Sequence, residues 1–214
     1  MKRRQLIKNL GLGGVALVAT PTVLSLLQSC KADGPVFEPV FINNSQGKAL
    51  RHIVDLIIPS DEAIPGAVDV GAHKFIDMYW NEVTPLEDQA QIKAGFDALA
   101  NRLQDATGKT FEDAEAEDYD KLLAKYLNAS KEQEEVFNKS LGEYYQAYQR
   151  DKTVSVDPDA GAFSLLQNVR GMTIWGWKQS EEIGENVLAY EPIPGQQIGC
   201  LSVEEATGGK AYSL

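Results

Sequence analysis

Residues 49–83, ALRHIVDLIIPSDEAIPGAVDVGAHKFIDMYWNEV, decide the fold class. Leu50, Ile53, Val54, Ile57 and Ile58 recur at helical spacing and make one apolar face, which Pro59 ends. The ten residues that follow, Pro59 to Val68, hold two prolines, a glycine, Ser60 and Asp61, and read as a loop. Helical spacing resumes from Val70 to Val83, with Phe75, Ile76, Tyr79 and Trp80 facing inward. Two amphipathic helices joined by a turn-rich loop describe a bundle better than a sheet.

The same period runs on toward the C-terminus. A third helix is expected from Thr84-Pro85 to about Ala106, over Ile92, Phe96, Leu99 and Leu103. A fourth falls within Thr110–Asn128, and a fifth runs from a Ser130 cap to about Arg150. A sixth covers Phe163 to Trp177. No long stretch alternates with period two, and β-branched clusters are scarce. The expectation is an all-α protein: a small helical bundle over residues 46–189.

Both flanks differ from this middle. From Tyr190 to Leu214 periodicity fades. Pro192 and Pro194 bias their neighbours away from the helical region, and Gly195, Gly199, Gly208 and Gly209 add freedom. Yet Tyr190, Ile193, Ile198, Leu201 and Tyr212 are more apolar than a solvated tail needs. Residues 190–214 are therefore expected to dock on a partner, with Tyr190, Pro192, Pro194, Gly195 and Cys200 at the contact. Packing of the tail onto the bundle, with Cys200 as a small buried residue, is the alternative.

The N-terminal flank reads as an export signal. Lys2-Arg3-Arg4-Gln5-Leu6-Ile7-Lys8 precedes an apolar run to Leu27 that is interrupted by Gly11, Gly13, Gly14 and Pro21. The Arg3-Arg4 pair with the following Leu, apolar residue and Lys resembles a twin-arginine signal. Leu27-Gln28-Ser29-Cys30 resembles a lipobox, which makes Cys30 the lipidated residue. Residues 1–30 are thus expected to be a signal peptide and residues 31–45 a tether. Retention of the run as a membrane anchor is disfavoured by its glycines, proline and hydroxyl residues. The expected location is the periplasmic side of the cell envelope, held by lipid.

Charge and cysteine usage narrow the function classes. The 214 residues carry a net charge of −11. Residues 1–30 hold four basic side chains and no acid, so the remainder carries about −15. Such a field repels nucleic-acid phosphates, and no basic cluster follows residue 8, so no nucleic acid is expected as a partner. Cys30 and Cys200 are the only cysteines, and no C-x-x-C exists to hold zinc or haem.

Candidate chemistry is thin. Asp69, His73 and Asp77 are spaced by four and share a helical face, as a metal site would require. Asp69 as a helix cap and Asp77 as a solvated partner explain them as well. His52 and Asp55 read as a surface pair. A di-iron bundle needs Glu-x-x-His, but Ala49 and Val70 occupy the Glu positions. Trp175 and Trp177 with Tyr144, Tyr145 and Tyr148 read as core or interface, or as the lining of a pocket. No catalytic, cofactor-binding or metal residue is assigned in this chain.

Three segments together resemble the gluconate 2-dehydrogenase subunit 3 family. They are Ile53–Asp61 leading to Pro65-Gly66-Ala67 and Gly71; Arg170-Gly171-Met172 to Trp177; and Tyr190-Glu191-Pro192-Ile193-Pro194-Gly195 with Ile198-Gly199-Cys200. The resemblance implies a non-catalytic small subunit. It would escort and anchor a glucose-methanol-choline type dehydrogenase that holds the FAD, with a cytochrome c as a further partner in some systems. Lipidation at Cys30 departs from the family picture, in which attachment runs through another subunit. A stand-alone envelope lipoprotein with a binding role is the alternative.

Overall fold

The computed structural model describes residues 37–193, 195 and 199–213. Arg3, Arg4, Cys30, Pro194 and Ile198 lie outside them. Residues 37–214 form one compact unit. The helices are α1 (Asn44–Ile57), α2 (Ala72–Glu82), α3 (Leu86–Thr107), α4 (Ala116–Leu127), α5 (Lys131–Arg150) and α6 (Pro158–Gln179). A π-helical turn, Glu182–Val187, and a short α7, Val203–Thr207, follow. No strand forms among the described residues; a single parallel bridge joins Ala189 and Tyr212. The all-α expectation holds.

α6 is the hub. It packs against α1, α2, α3, α4, α5 and the π-helical turn, and its contact with α3 is the most extensive in the molecule. Its sequence explains this role, because apolar and small residues surround the helix instead of forming one stripe. Ala160, Gly161, Ala162, Phe163, Leu165, Leu166, Val169, Thr173 and Gly176 are all buried. A methyl group on Gly161 would stand 2.7 Å from the Ala98 side chain, so glycine sets how closely α6 approaches α3. By contrast α5 buries only Tyr144 and is the most lightly attached of the long helices.

Local signals fix the helix ends. Asn43 and Gln46 form a capping box for α1, Ser130 and Gln133 for α5. Asp157 caps α6 and is followed by Pro158 in the first turn. Hence α1 begins at Asn44, inside the stretch expected to be a tether, and α6 begins five residues before Phe163. The segment 110–114 is turn, and α4 starts only at Ala116.

The tether expectation fails for residues 37–43 for a second reason. The amides of Val40, Phe41 and Ile42 donate to the Asp77 carboxylate at 2.7, 3.1 and 3.1 Å. Phe37 sets its edge against His73, with centroids 4.9 Å apart. Residues 37–42 are therefore a strap bound across α2. A polar interhelical lock complements it. Asp159 of α6 accepts from Lys125 and Tyr126 of α4, both at 2.5 Å, and from Arg102 of α3 at 3.3 Å.

Candidate functional site

The loop between α1 and α2 has little freedom to spare. A Cβ on Gly66 would lie 2.5 Å from the Ser60 amide nitrogen, so only glycine fits there. Asp69 accepts from the Gly66 amide at 2.9 Å and from the Ser60 hydroxyl. The Trp177 indole of α6 donates to the Pro65 carbonyl at 2.9 Å, and Gly176 packs against the Phe75 ring. The first two segments that carry the family resemblance thus meet in space, and their joint task is to hold the α1–α2 loop to α6.

This geometry reassigns the three residues spaced by four. Asp69 does not cap α2; Gly71, in the left-handed region at φ 75°, takes that position. Asp69 instead closes the loop. Asp77 is not a solvated partner, being 1% exposed and committed to the strap amides. His73 is buried between them in sequence, and its Nδ1 has no hydrogen-bond partner among the described residues. Burial, helped by Lys74 and Arg51, pushes its pKa down from 6.5 to about 4. His52 stacks on Tyr119 with centroids 5.5 Å apart, and its pKa is lowered, first by burial and then by Lys48.

A pH dependence follows from His73. The unfolded chain takes up the imidazole proton near pH 6.5, whereas the folded chain resists until about pH 4. Folding stability is therefore full above the unfolded value and falls as the pH drops from 6.5 toward 4. A shift of this size is worth about 3 kcal/mol. In urea titrations, His73→Gln is expected to flatten the pH 7 to pH 4.5 decline relative to the unsubstituted chain. Parallel declines in the two proteins would show that His73 does not carry it.

The aromatic residues divide. Tyr144 and Tyr145 line a cleft between α5 and α3. Trp175 lies outside that lining and packs edgewise on Phe75 and Tyr79, at 5.0 and 5.4 Å. Trp177 belongs to the loop contact described above.

The C-terminal segment carries several exposed apolar side chains. It leaves the bundle after the π-helical turn and returns to it: Ala189 donates to the Ala211 carbonyl at 2.9 Å, and Ser213 donates to the Ala189 carbonyl at 3.0 Å. Between these two points no described residue is buried. Ile193 is 86% exposed, Val203 66% and Tyr212 46%, with Tyr190 and Leu201 close to the last. Pro192 and Gly195 are exposed as well. Cys200 is an exposed free thiol at φ 61°, which overturns its reading as a buried core residue. Ser202 and Glu205 form a capping box for α7, and Gly208 ends it in the left-handed region. The excursion is thus shaped locally while Tyr190, Ile193, Leu201, Val203 and Tyr212 stay exposed.

Sequence reasoning missed the strap on Asp77; of the five aromatic residues it offered as a pocket lining, Tyr144 and Tyr145 line the cleft beside α5 and Trp175, Trp177 and Tyr148 do not. Asn43-x-x-Gln46 was the available sign that ordered structure starts before residue 46.

Among protein families, the model described as gluconate 2-dehydrogenase subunit 3 matches residues 44–195. No curated protein and no solved structure matches the chain.

Proposed function

Because the chain belongs to the gluconate 2-dehydrogenase subunit 3 family, we propose that it is the non-catalytic small subunit of a dehydrogenase complex and holds its partner through residues 190–214. The partner in this reading is a glucose-methanol-choline type flavoprotein that carries the FAD. A cytochrome c is a further partner where the electrons pass onward. The observation that carries the reading is the tail: an excursion rooted on the bundle at Ala189, with Tyr190, Ile193, Leu201, Val203 and Tyr212 exposed. Exposed apolar groups clustered in one segment mark an interaction site more often than a free surface.

The escort role rests on the N-terminal sequence. Arg3 and Arg4 stand in a twin-arginine pattern, a route that carries folded proteins. A flavoprotein folded around FAD needs such a route when it has no signal of its own, and the small subunit supplies it to both. Cys30, acylated, then anchors the complex on the periplasmic side of the envelope. Replacing Arg3 and Arg4 together by Lys is expected to leave both proteins in the cytoplasm and to empty the periplasmic fraction of flavin-dependent dehydrogenase activity. Fractionation followed by immunoblotting for both chains reads this directly. A flavoprotein that still reaches the periplasm in the double variant removes the escort role.

A further inference from the structure

We propose that the cleft between α3 and α5 is a binding site for a small organic cation, an alkylated ammonium group on an apolar or aromatic body. The site is independent of the tail and of the subunit reading. Its volume is about 380 Å³, within the range that holds small ligands. α6 forms the floor, the corner between α2 and α3 forms one wall, and α5 forms the other. α5 buries only Tyr144 and packs chiefly on α6, and Tyr144 reaches Gln91 of α3 within the cleft.

The lining decides the sign of the ligand. Tyr144 and Tyr145 contribute rings from α5, with centroids 5.4 Å apart, and Tyr79 lines the cleft from α2; Trp80 borders it as a core side chain that is 1% exposed. Asp88 is the only formally charged residue in the lining, which holds no Lys, Arg or His. Asp159, Asp118 and Asp105 all have ion-pair partners, but Asp88 has none among the described residues. An anion would meet a carboxylate and the electron-rich faces of aromatic rings with no cation to compensate. A wholly apolar ligand would cover Asp88, Ser164 and Asn168 without giving them a partner, which costs free energy. A cation with apolar substituents satisfies both halves of the lining, by cation–π attraction to the rings and by pairing with Asp88. Alkylation of the ammonium suits the site, since a group with few N–H donors loses little when rings replace its water.

The same chemistry could reach the cleft on the lysine side chain of another protein, and the test separates the two sources. The full chain is titrated with phenyltrimethylammonium, with its neutral isostere tert-butylbenzene, with benzenesulfonate, and with N-acetyl-lysine methylamide. Binding is read from the Trp80 indole N–H resonance, with Trp177, which is held to the Pro65 carbonyl, as the internal reference outside the cleft. Phenyltrimethylammonium is expected to saturate the Trp80 shift, bind about tenfold more tightly than the isostere, and weaken by a similar factor in Asp88→Asn. Asp88 and Tyr145 are exposed, so Asp88→Asn and Tyr145→Ala should leave the fold intact, and both should weaken binding. Equal binding of the isostere, or of Asp88→Asn, overturns the proposal by showing an apolar hollow. Tighter binding of the lysine derivative overturns it in favour of a protein socket. No saturable shift with the quaternary probe overturns it outright.

Discussion

Deleting residues 190–214 is expected to abolish recovery of the flavoprotein with this chain while lowering the melting temperature of the bundle by about 6–12 °C. The two halves of this expectation have separate physical sources. On the stability side, the deletion removes no buried side chain among the described residues. What it removes is the pairing of Ala189 with Ala211 and Ser213, a handful of hydrogen bonds worth about 1 kcal/mol each. For a chain of this size, each such loss shifts the melting point by about 2–4 °C. On the binding side, Ile193, Leu201, Val203, Tyr190 and Tyr212 present exposed apolar groups; covering Ile193, at 86% exposure, is worth about 1.5–3 kcal/mol, and the others contribute less in proportion to what is already covered. The Ser202–Glu205 capping box and Pro192 restrict the segment beforehand, which lowers the ordering cost on docking. Co-purification and a circular-dichroism melt measure the two halves independently. A truncated chain that keeps its flavoprotein at full strength removes the tail from docking. Collapse of the melt by tens of degrees would return the tail to the core.

Helices were legible in the sequence wherever apolar residues recur every three or four positions. Leu50, Ile53, Val54, Phe96, Leu99 and Leu103 are all buried on the faces their spacing indicates. Helix boundaries were less legible because capping depends on polar residues that also fill loops. Asn43 looked like part of a tether until Gln46 was seen to complete its box. The π-helical turn and α7 escaped because six- and five-residue elements cannot display a period. Asp77 marks a deeper limit. Helical spacing placed it on one face with His73, but spacing does not reveal that the partner is a backbone segment more than thirty residues earlier. The tail was legible in composition: its apolar content exceeded what solvent favours, and Tyr190, Ile193, Leu201 and Tyr212 are exposed in the structure. The cleft by α5 was legible only as one reading of Tyr144 and Tyr145, since spacing does not say whether an aromatic face packs or lines a hollow.

The second large effect is expected at Asp77. Asp77→Asn should destabilise the chain by about 3–5 kcal/mol in urea unfolding, although it alters neither size nor shape. The carboxylate accepts three successive amides, Val40 on Oδ2 and Phe41 and Ile42 on Oδ1. No basic side chain pairs with it among the described residues, so these N–H dipoles are what compensates its charge, in the manner of a backbone nest. Asparagine keeps one acceptor oxygen and turns an NH2 group toward amides that also donate. At least one buried N–H then loses its partner, and a strap held by fewer bonds peels away. That movement uncovers Ile42 and separates Phe41 from Trp80, whose rings now lie 6.0 Å apart. Trp80 fluorescence should therefore report the loosened strap before global unfolding. Asp77→Ala should cost at least as much, because it leaves all three amides unanswered. A loss below about 1 kcal/mol in both variants would mean that water replaces the carboxylate, and that residues 37–42 are held by their apolar contacts instead.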